Sequence, residues 1–460
     1  MSGLRLEPPR PSMRVTLVAT YELGRQPFGL ASPAAWLREA GIDVTTVDLS
    51  REPFRPEAFA TDLVAFHLPM HTATRLALPL IRRVRALYPT MRLCCYGLYA
   101  PLNEPVLRGL GVAHVLGGEF EQALLEVATG GTVQMDGVTG DTSLPRLRFR
   151  APDRSGLPAL DRYASLQMPS GDRRVVGYTE ASRGCKHLCR HCPVVPIYQG
   201  RFRVVPRDVV LADVRAQVDA GARHITFGDP DFFNGVGHAV AIVEAFAREC
   251  PGVSYDVTIK VEHLRRHDDR LTVLRDTGCL FVVSAVESID DAVLARLDKG
   301  HTRADFEQVV ARCRQVGLTL APTFIPFTPW TTLAGYHELL RTVDTLDLVE
   351  QVAPIQLALR LLIPRGSRLL ELGRERLGVD LDPFDDGQLV YPWRHPDLRV
   401  DRLQDTVAGV VGRRLTASRS AVFDELLSLA AEQVGAPVSR RAVGARDRAT
   451  VAYLNEPWYC

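Results

Sequence analysis

Short apolar runs alternate with helix-patterned stretches along most of this chain, and that alternation restricts it to α/β architectures built on parallel sheets. In the first part, apolar runs at 15–19, 44–47, 63–66, 93–96 and 112–116 predict five strands. Helical patterns separate them at 33–40 and at 72–87, where Leu76, Leu80 and Val84 recur at helical spacing. A last helix opens at Gly117-Gly118-Glu119 and runs to about Val127. Such a doubly wound, Rossmann-like sheet carries a crevice at its strand C-termini. Over 130–172 the pattern gives way to Gly, Thr, Asp, Pro and Arg, which reads as a linker. The alternation then resumes, with strands predicted at 175–179, 224–227, 254–259, 279–285, 318–325 and 355–362. Helical patterns lie between them at 206–220, 236–248, 271–277, 305–316 and 336–346. Six such steps predict a partial (β/α)6 barrel whose site is built at the strand C-termini. Beyond Pro383, patterns at 401–414 and 421–434 predict a helical C-terminal appendix. The expected organisation is an α/β domain over 13–129, a linker over 130–172, a barrel over 173–382 and a C-terminal region over 383–460.

The chemistry concentrates in Cys185-Lys186-His187-Leu188-Cys189-Arg190-His191-Cys192, just after the first barrel strand. Three thiolates leave one coordination site open on a four-iron cube or on a tetrahedral zinc ion, and an open site points to chemistry rather than support. Thiolates need positive neighbours or the metal itself to stay ionised, and Arg183, Lys186, His187 and Arg190 supply them. A structural zinc site with His187 or His191 as fourth ligand is the competing reading. A second paired half-site is absent, so the spacing favours iron and sulfur. The total of nine cysteines is odd, which disfavours a complete disulfide frame. Cys94, Cys95, Cys250, Cys279 and Cys313 lack ligand spacing and read as small buried apolar residues.

Composition excludes other classes. The net charge of +1 gives no basic surface for nucleic acid. No apolar run is long enough to span a bilayer. The first twelve residues lack an apolar signal core, so a cytoplasmic location is expected.

The motif Ser182-Arg183-Gly184-Cys185-x3-Cys189-x2-Cys192 resembles the radical S-adenosylmethionine superfamily, and the order of elements extends the likeness over about residues 170–370. The resemblance implies that Cys185, Cys189 and Cys192 ligate a [4Fe-4S] cluster. It implies that S-adenosylmethionine chelates the fourth iron and is cleaved by one electron to start radical chemistry, with the protein fixing geometry and excluding water. Gly228 and Asp229, ending the second barrel strand, take the place of the family's segment that holds the cofactor's amino group, though the usual Gly-Gly-Glu is missing. Glu287, after the fourth strand, stands where the family places a polar residue near the ribose. His191 stands where the family often has an aromatic residue. Lys260, ending the third strand, and Arg360, on the sixth, are candidates to face the lumen and bind a carboxylate; mutual salt bridges or solvent exposure are the alternative.

The first domain is similar in layout to the cobalamin (B12)-binding domains that often precede such barrels, but it lacks the Asp-x-His-x-x-Gly signature. His67 and His71 lie near its expected crevice; the alternative is a vestigial domain that shapes the substrate site, with Tyr21-Glu22-Leu23-Gly24 the loop expected to face that site. The ending Trp458-Tyr459-Cys460, with Tyr21-Glu22-Leu23-Gly24 and Met70-His71-Thr72-Ala73-Thr74, resembles radical enzymes named for a Cys-Sec-Ala-Glu-Pro or Cys-Cys-Ala-Glu-Pro tail. In that case Cys460 opens the tail and is a candidate catalytic residue. A related family with a cysteine-rich tail transfers the 3-amino-3-carboxypropyl group of S-adenosylmethionine to arsenic, and soft thiolates suit a soft element. The expected function is a radical enzyme acting on a small molecule, with an electron donor such as flavodoxin or ferredoxin. The expected partners include neither nucleic acid nor membrane. The alternatives are a cobalamin-dependent methyltransferase and a non-catalytic zinc- or cobalamin-binding module.

Overall fold

The computed structural model describes residues 13–131, 147–414, 416–437 and 451–455. The chain forms two compact units, Met1–Glu22 with Pro27–Pro158 and Leu23–Gln26 with Ala159–Cys460.

The first unit is a five-stranded parallel sheet of β1 (Arg14–Ala19), β2 (Asp43–Asp48), β3 (Leu63–His67), β4 (Arg92–Tyr96) and β5 (His114–Leu116), in the order β2-β1-β3-β4-β5. All five match runs read from sequence. Near-continuous apolar strands are what a sheet buried on both faces demands. On one face Val15, Leu17, Leu63, Ala65, Cys94 and Tyr96 pack on Leu30, Ala34 and Leu37 of the helix Phe28–Glu39 and on Leu124 and Val127 of the helix Phe120–Ala128. The strand order reverses direction between β1 and β3, which opens a crevice at their C-terminal ends. His67 closes part of it. Its ring is 7% exposed, and Nδ1 lies 2.6 Å from Glu22 Oε1. The helix Phe28–Glu39 passes so close that a Cβ at Gly29 would run into the imidazole. The Tyr96 hydroxyl donates to the Gly29 carbonyl at 2.9 Å and fixes that approach.

The second unit holds a seven-stranded sheet in the order β13-β12-β11-β10-β7-β6-β14. Its parallel part is β7 (Arg173–Thr179), β10 (His224–Phe227), β11 (Ser254–Thr258), β12 (Cys279–Glu287) and β13 (Thr319–Phe324). On the helix-covered face, Phe227 and Tyr255 meet Phe246 of the helix Val236–Glu249 edge to face. The opposite, concave face is the half-barrel interior.

Two details depart from the sequence reading. The expected sixth strand at 355–362 is a short 3-10 turn, Pro354–Leu357, followed by a single parallel bridge between Phe327 and Arg360. Pro354 lacks the N–H that a ladder needs and favours the first position of a helical turn. At the other edge, β6 (Ser165–Gln167) pairs antiparallel with β7, and β14 (Tyr453–Leu454) pairs antiparallel with β6. The end of the expected linker therefore belongs to the sheet. A small ribbon of β8 (Ser182–Gly184) and β9 (Phe202–Val204) stands apart from both sheets. The helices Leu398–Arg413 and Arg419–Val434 form the C-terminal appendix. Among the described residues, no helix is long and apolar enough to cross a membrane.

Gly29→Ala should therefore overpack the first unit against His67 and lower its stability by about 1–3 kcal/mol. The check is the thermal midpoint of the variant; an unchanged midpoint would contradict this packing.

Candidate active site

The cysteine loop leaves β8 and returns through the short helix Val195–Tyr198 to β9, so an antiparallel ribbon pins both of its ends. Gly184, directly before Cys185, has φ +73°, and a Cβ there would strike the Tyr198 ring and the Arg201 carbonyl. Only glycine adopts that backbone at that closeness without strain.

The segment after β10 grips the near side of the loop. Asp229 Oδ2 accepts from the Ala181 amide at 2.9 Å, and Oδ1 accepts from the Ser182 hydroxyl at 2.5 Å. Asp229 is 2% exposed, and burial raises its pKa to about 6 against the pull of those hydrogen bonds. Five residues on, buried Asn234 donates to the Gly184 carbonyl at 3.3 Å and accepts from the Lys186 amide at 3.2 Å. Its Oδ1 also lies 3.8 Å from the Cys185 sulfur. Asp231 caps the turn that carries Asn234, accepting from the Phe233 amide at 3.1 Å.

The far side is held by other elements. The Arg190 amide donates to Leu297, and its guanidinium donates to the Ala295 and Arg296 carbonyls at 3.2 and 2.9 Å. These are the last carbonyls of the helix Asp291–Leu297, where a cation also meets the negative end of the helix dipole. Ser367 and Arg368 donate to the carbonyls of Arg190 and Leu188.

Cys189 is buried, Cys185 and Cys192 are half-buried, and all three carry free thiols. Burial pushes Cys185 up to about 11 and Cys192 up to about 12. Unaided, both stay protonated at neutral pH, so the thiolate form depends on a metal to balance its charge. A clamped loop with three unpaired thiols fits one cubane that keeps an open iron.

Charged residues at the strand ends complete the surroundings. His191 Nε2 lies 3.0 Å from Glu287 Oε1, and Lys299 Nζ lies 3.3 Å from the same oxygen. Glu287 has φ +70° and is 7% exposed. Burial opposes its charge, but Lys299 and His191 outweigh burial and hold it near 2. Lys260 Nζ lies 3.1 Å from His187 Nδ1 and 3.2 Å from Glu262 Oε2. On the other side of that ring, Nε2 is 3.4 Å from Asp231 Oδ2, which is 2.7 Å from His263 Nδ1. Donor atoms of His187, Asp231 and His263 fall within 4.8 Å of one another. Lys260 donates to His187 Nδ1, whereas His187 Nε2, Asp231 Oδ2 and both ring nitrogens of His263 are buried without a hydrogen-bond partner among the described residues, close approach alone linking them. Both loop histidines thus have partners other than a zinc ion.

The residues singled out from sequence are distributed as follows. The loop gathers Cys185, Cys189 and Cys192, with His191 and Glu287 in mutual contact and Lys260 on His187. Gly228 lies where a Cβ would strike the Tyr178 ring, and the Asp229 carboxylate is spent on Ala181 and Ser182. Asp229 therefore acts on the frame of the loop. Arg360 departs from the lumen-facing expectation. Its guanidinium bonds Asp401 at 2.7 Å and the Trp393 carbonyl at 2.8 Å, and it stacks 3.7 Å from the Trp393 ring centroid. Cys460 lies outside the described residues. Cys94, Cys95, Cys279 and Cys313 are buried, with burial raising each thiol, and Cys250 is buried too. Asn234 and Lys299 were missed, because neither belongs to a spacing pattern and each reaches the loop only through tertiary contact.

Residues 179–342 match the family model described as Radical SAM superfamily. Among curated proteins, the chain is 23% identical over 240 residues to the ribosomal protein uS12 methylthiotransferase RimO of Geobacter sulfurreducens, covering 46% of this chain and 51% of that protein. It is 28% identical over 232 residues to the tRNA-2-methylthio-N(6)-dimethylallyladenosine synthase of Halorhodospira halophila, covering 46% and 48%. The chain thus spans about half the length of the curated relatives it matches. Among solved structures, it superposes with TM-score 0.66 and 13% identity on the cobalamin-dependent S-adenosylmethionine radical enzyme OxsB with aqua-cobalamin and S-adenosylmethionine bound, covering 87% of this chain and 67% of that one. It superposes with TM-score 0.62 and 16% identity on the radical S-adenosylmethionine methyltransferase TsrM of Kitasatospora setae, covering 81% and 79%. At that identity the likeness establishes the fold.

Asp229 binds its proton more tightly folded than unfolded. Its titration therefore favours the fold as pH falls from about 6 to about 4, by on the order of 2–3 kcal/mol. Asp229→Asn should flatten that dependence in denaturation curves taken across the same window, and an undiminished slope would contradict the assignment. The family match lies over this clamped loop, so residues 179–342 form a radical S-adenosylmethionine superfamily domain, a type that implies a [4Fe-4S] cluster and S-adenosylmethionine.

Proposed function

We propose that this enzyme uses Cys185, Cys189 and Cys192 to hold a [4Fe-4S] cluster and cleaves S-adenosylmethionine reductively to start radical chemistry on a small molecule. The observation that carries the reading is the clamped loop of three unpaired, largely buried thiols at the C-terminal end of the half-barrel. When bound, the cluster supplies the electron that breaks a carbon–sulfur bond of the sulfonium; a flavodoxin- or ferredoxin-like donor reloads it. The protein's own share is positional. Asp229, Asn234 and Arg190 fix the loop, while Glu287, Lys299 and Lys260 set charge around it. The net charge of +1 fits a small molecule better than the nucleic acid or ribosomal protein named for the curated relatives.

A second reading adds cobalamin, held at the crevice between β1 and β3 of the first unit. The strand order and the cobalamin-binding structural neighbours support it. His67 is engaged by Glu22 and enclosed by Gly29, so this cobalamin would lack an axial imidazole from that residue. For the outcome of the reaction, Cys460 suggests transfer of the 3-amino-3-carboxypropyl group to a soft element such as arsenic. The nucleoside left behind separates these outcomes. Hydrogen abstraction leaves 5′-deoxyadenosine, 3-amino-3-carboxypropyl transfer leaves 5′-methylthioadenosine, and methyl donation leaves S-adenosylhomocysteine.

Anaerobically reconstituted protein should be brown, hold about four irons per chain and cleave S-adenosylmethionine when reduced. Replacing Cys185, Cys189 and Cys192 by alanine should abolish both iron retention and cleavage. Colourless wild-type protein carrying a single zinc would overturn the reading.

A further inference from the structure

Resting on the radical reading, the structure assigns a substrate class: we propose that the half-barrel interior binds the head group of a small α-amino acid. The site is a cavity of about 100 Å³ on the concave face of the sheet in the second unit. Parallel register places Tyr178, Thr226, Asp256 and Phe281 in one row across β7, β10, β11 and β12. The neighbouring residues Phe227 and Tyr255 face the helices, so this row faces the interior. The far wall brings in Arg25, Gln351, Gln356, Arg419 and Tyr453.

The charges on this wall are incompletely matched. Arg25 lies 4.9 Å from the Tyr178 ring centroid, and its buried Nε has no hydrogen-bond partner among the described residues. Arg419 donates to the Glu350 carbonyl at 2.6 Å and lies 4.5 Å from the Tyr453 ring centroid. Among the described residues, neither guanidinium has a carboxylate at ion-pair distance, although Glu350 lies close enough to act on Arg419 through its charge. Asp256 uses one oxygen for Thr226 at 2.6 Å and His224 at 2.8 Å. Its second oxygen has no partner among the described residues. Both arginines are partly buried, and a carboxylate met by their N–H forks would give each a charge-assisted partner. An ammonium group suits the open oxygen of Asp256. One small cavity thus offers two cations and one anion, the complement of a zwitterion. Its volume suits a small ligand. It borders Thr258, two residues before Lys260, which touches His187 of the cysteine loop. The ligand's side chain would extend towards that end.

The test is calorimetric titration of the reconstituted full-length protein with the standard L-α-amino acids, with S-adenosylmethionine present and reductant absent. The tightest binder is compared with its amine and its carboxylic acid counterparts. At least one amino acid should bind, with both counterparts at least about ten-fold weaker, the scale of one lost charge-assisted contact. Arg25→Gln and Arg419→Gln should each weaken it about ten-fold or more, with S-adenosylmethionine affinity and iron content unchanged. Asp256→Asn should weaken the amino acid but not its carboxylic acid counterpart. The proposal is overturned if no amino acid binds or if the counterparts bind equally well. It is also overturned if the arginine variants weaken S-adenosylmethionine in parallel, because the cavity would then belong to that cofactor. The counterpart comparison uses wild-type protein, so it stands even if a variant does not fold. Wild-type protein that cleaves S-adenosylmethionine yet binds no amino acid sinks this proposal alone, whereas loss of cleavage sinks the reading beneath it.

Discussion

The rest of the site depends on the grip of Asp229 on the backbone and side chain just before the cysteine loop. A carboxylate that is 2% exposed is expensive to keep charged, and burial raises its pKa to about 6. It offsets part of that cost through Ala181 and Ser182, and so fixes where the chain enters β8. Gly184 then turns in a backbone conformation that side chains resist, and Asn234 catches the carbonyl before Cys185 and the amide after it. With the entry and first turn held from the β10 side and Arg190 tied to a helix end, little freedom is left to the three sulfurs between them. A metal centre that includes Cys185 and Cys192, thiols that burial keeps protonated, needs that arrangement, because their charge cannot organise the loop before a metal arrives.

The same economy runs through the charged groups around the loop. Glu287 and Lys299 neutralise one another in a space from which water is largely excluded, and the left-handed backbone at Glu287 turns its side chain to where Lys299 and His191 both meet it. Strain of that kind persists where surrounding contacts hold it and is common at functional sites. Lys260 joins a second chain through His187 to Asp231 and His263. Two networks on opposite sides of one short loop fix the orientations of His187 and His191, the two imidazoles between the cysteines. The interior cavity differs, since its guanidiniums remain without carboxylates.

Much of the fold was legible because parallel strands buried on both faces must be continuously apolar, and each run between helix patterns is therefore a strand. All five strands of the first unit and five of the barrel were read this way. The run at 355–362 failed because periodicity cannot see that Pro354 and the Asp401 partner of Arg360 draw the segment away from a ladder. The β8–β9 ribbon was missed because Ser182–Gly184 is too short and polar to register as a strand. Its pairing depends on Phe202–Val204, on the far side of the cysteine loop.

The amino-acid sequence by itself determined the α/β class, the alternation that builds both sheets and the close spacing of three cysteines. These rest on local periodicity and on spacing along one short loop. Only the tertiary structure decided that Asp229 serves the loop's frame, that Arg360 belongs to Trp393 and Asp401, and that Glu287 meets His191 and Lys299. Only the tertiary structure placed Arg25, Asp256 and Arg419 around one cavity. Those partners lie tens to hundreds of residues apart, and burial, which sets both their charge and their cost, exists only once the sheets have closed over them.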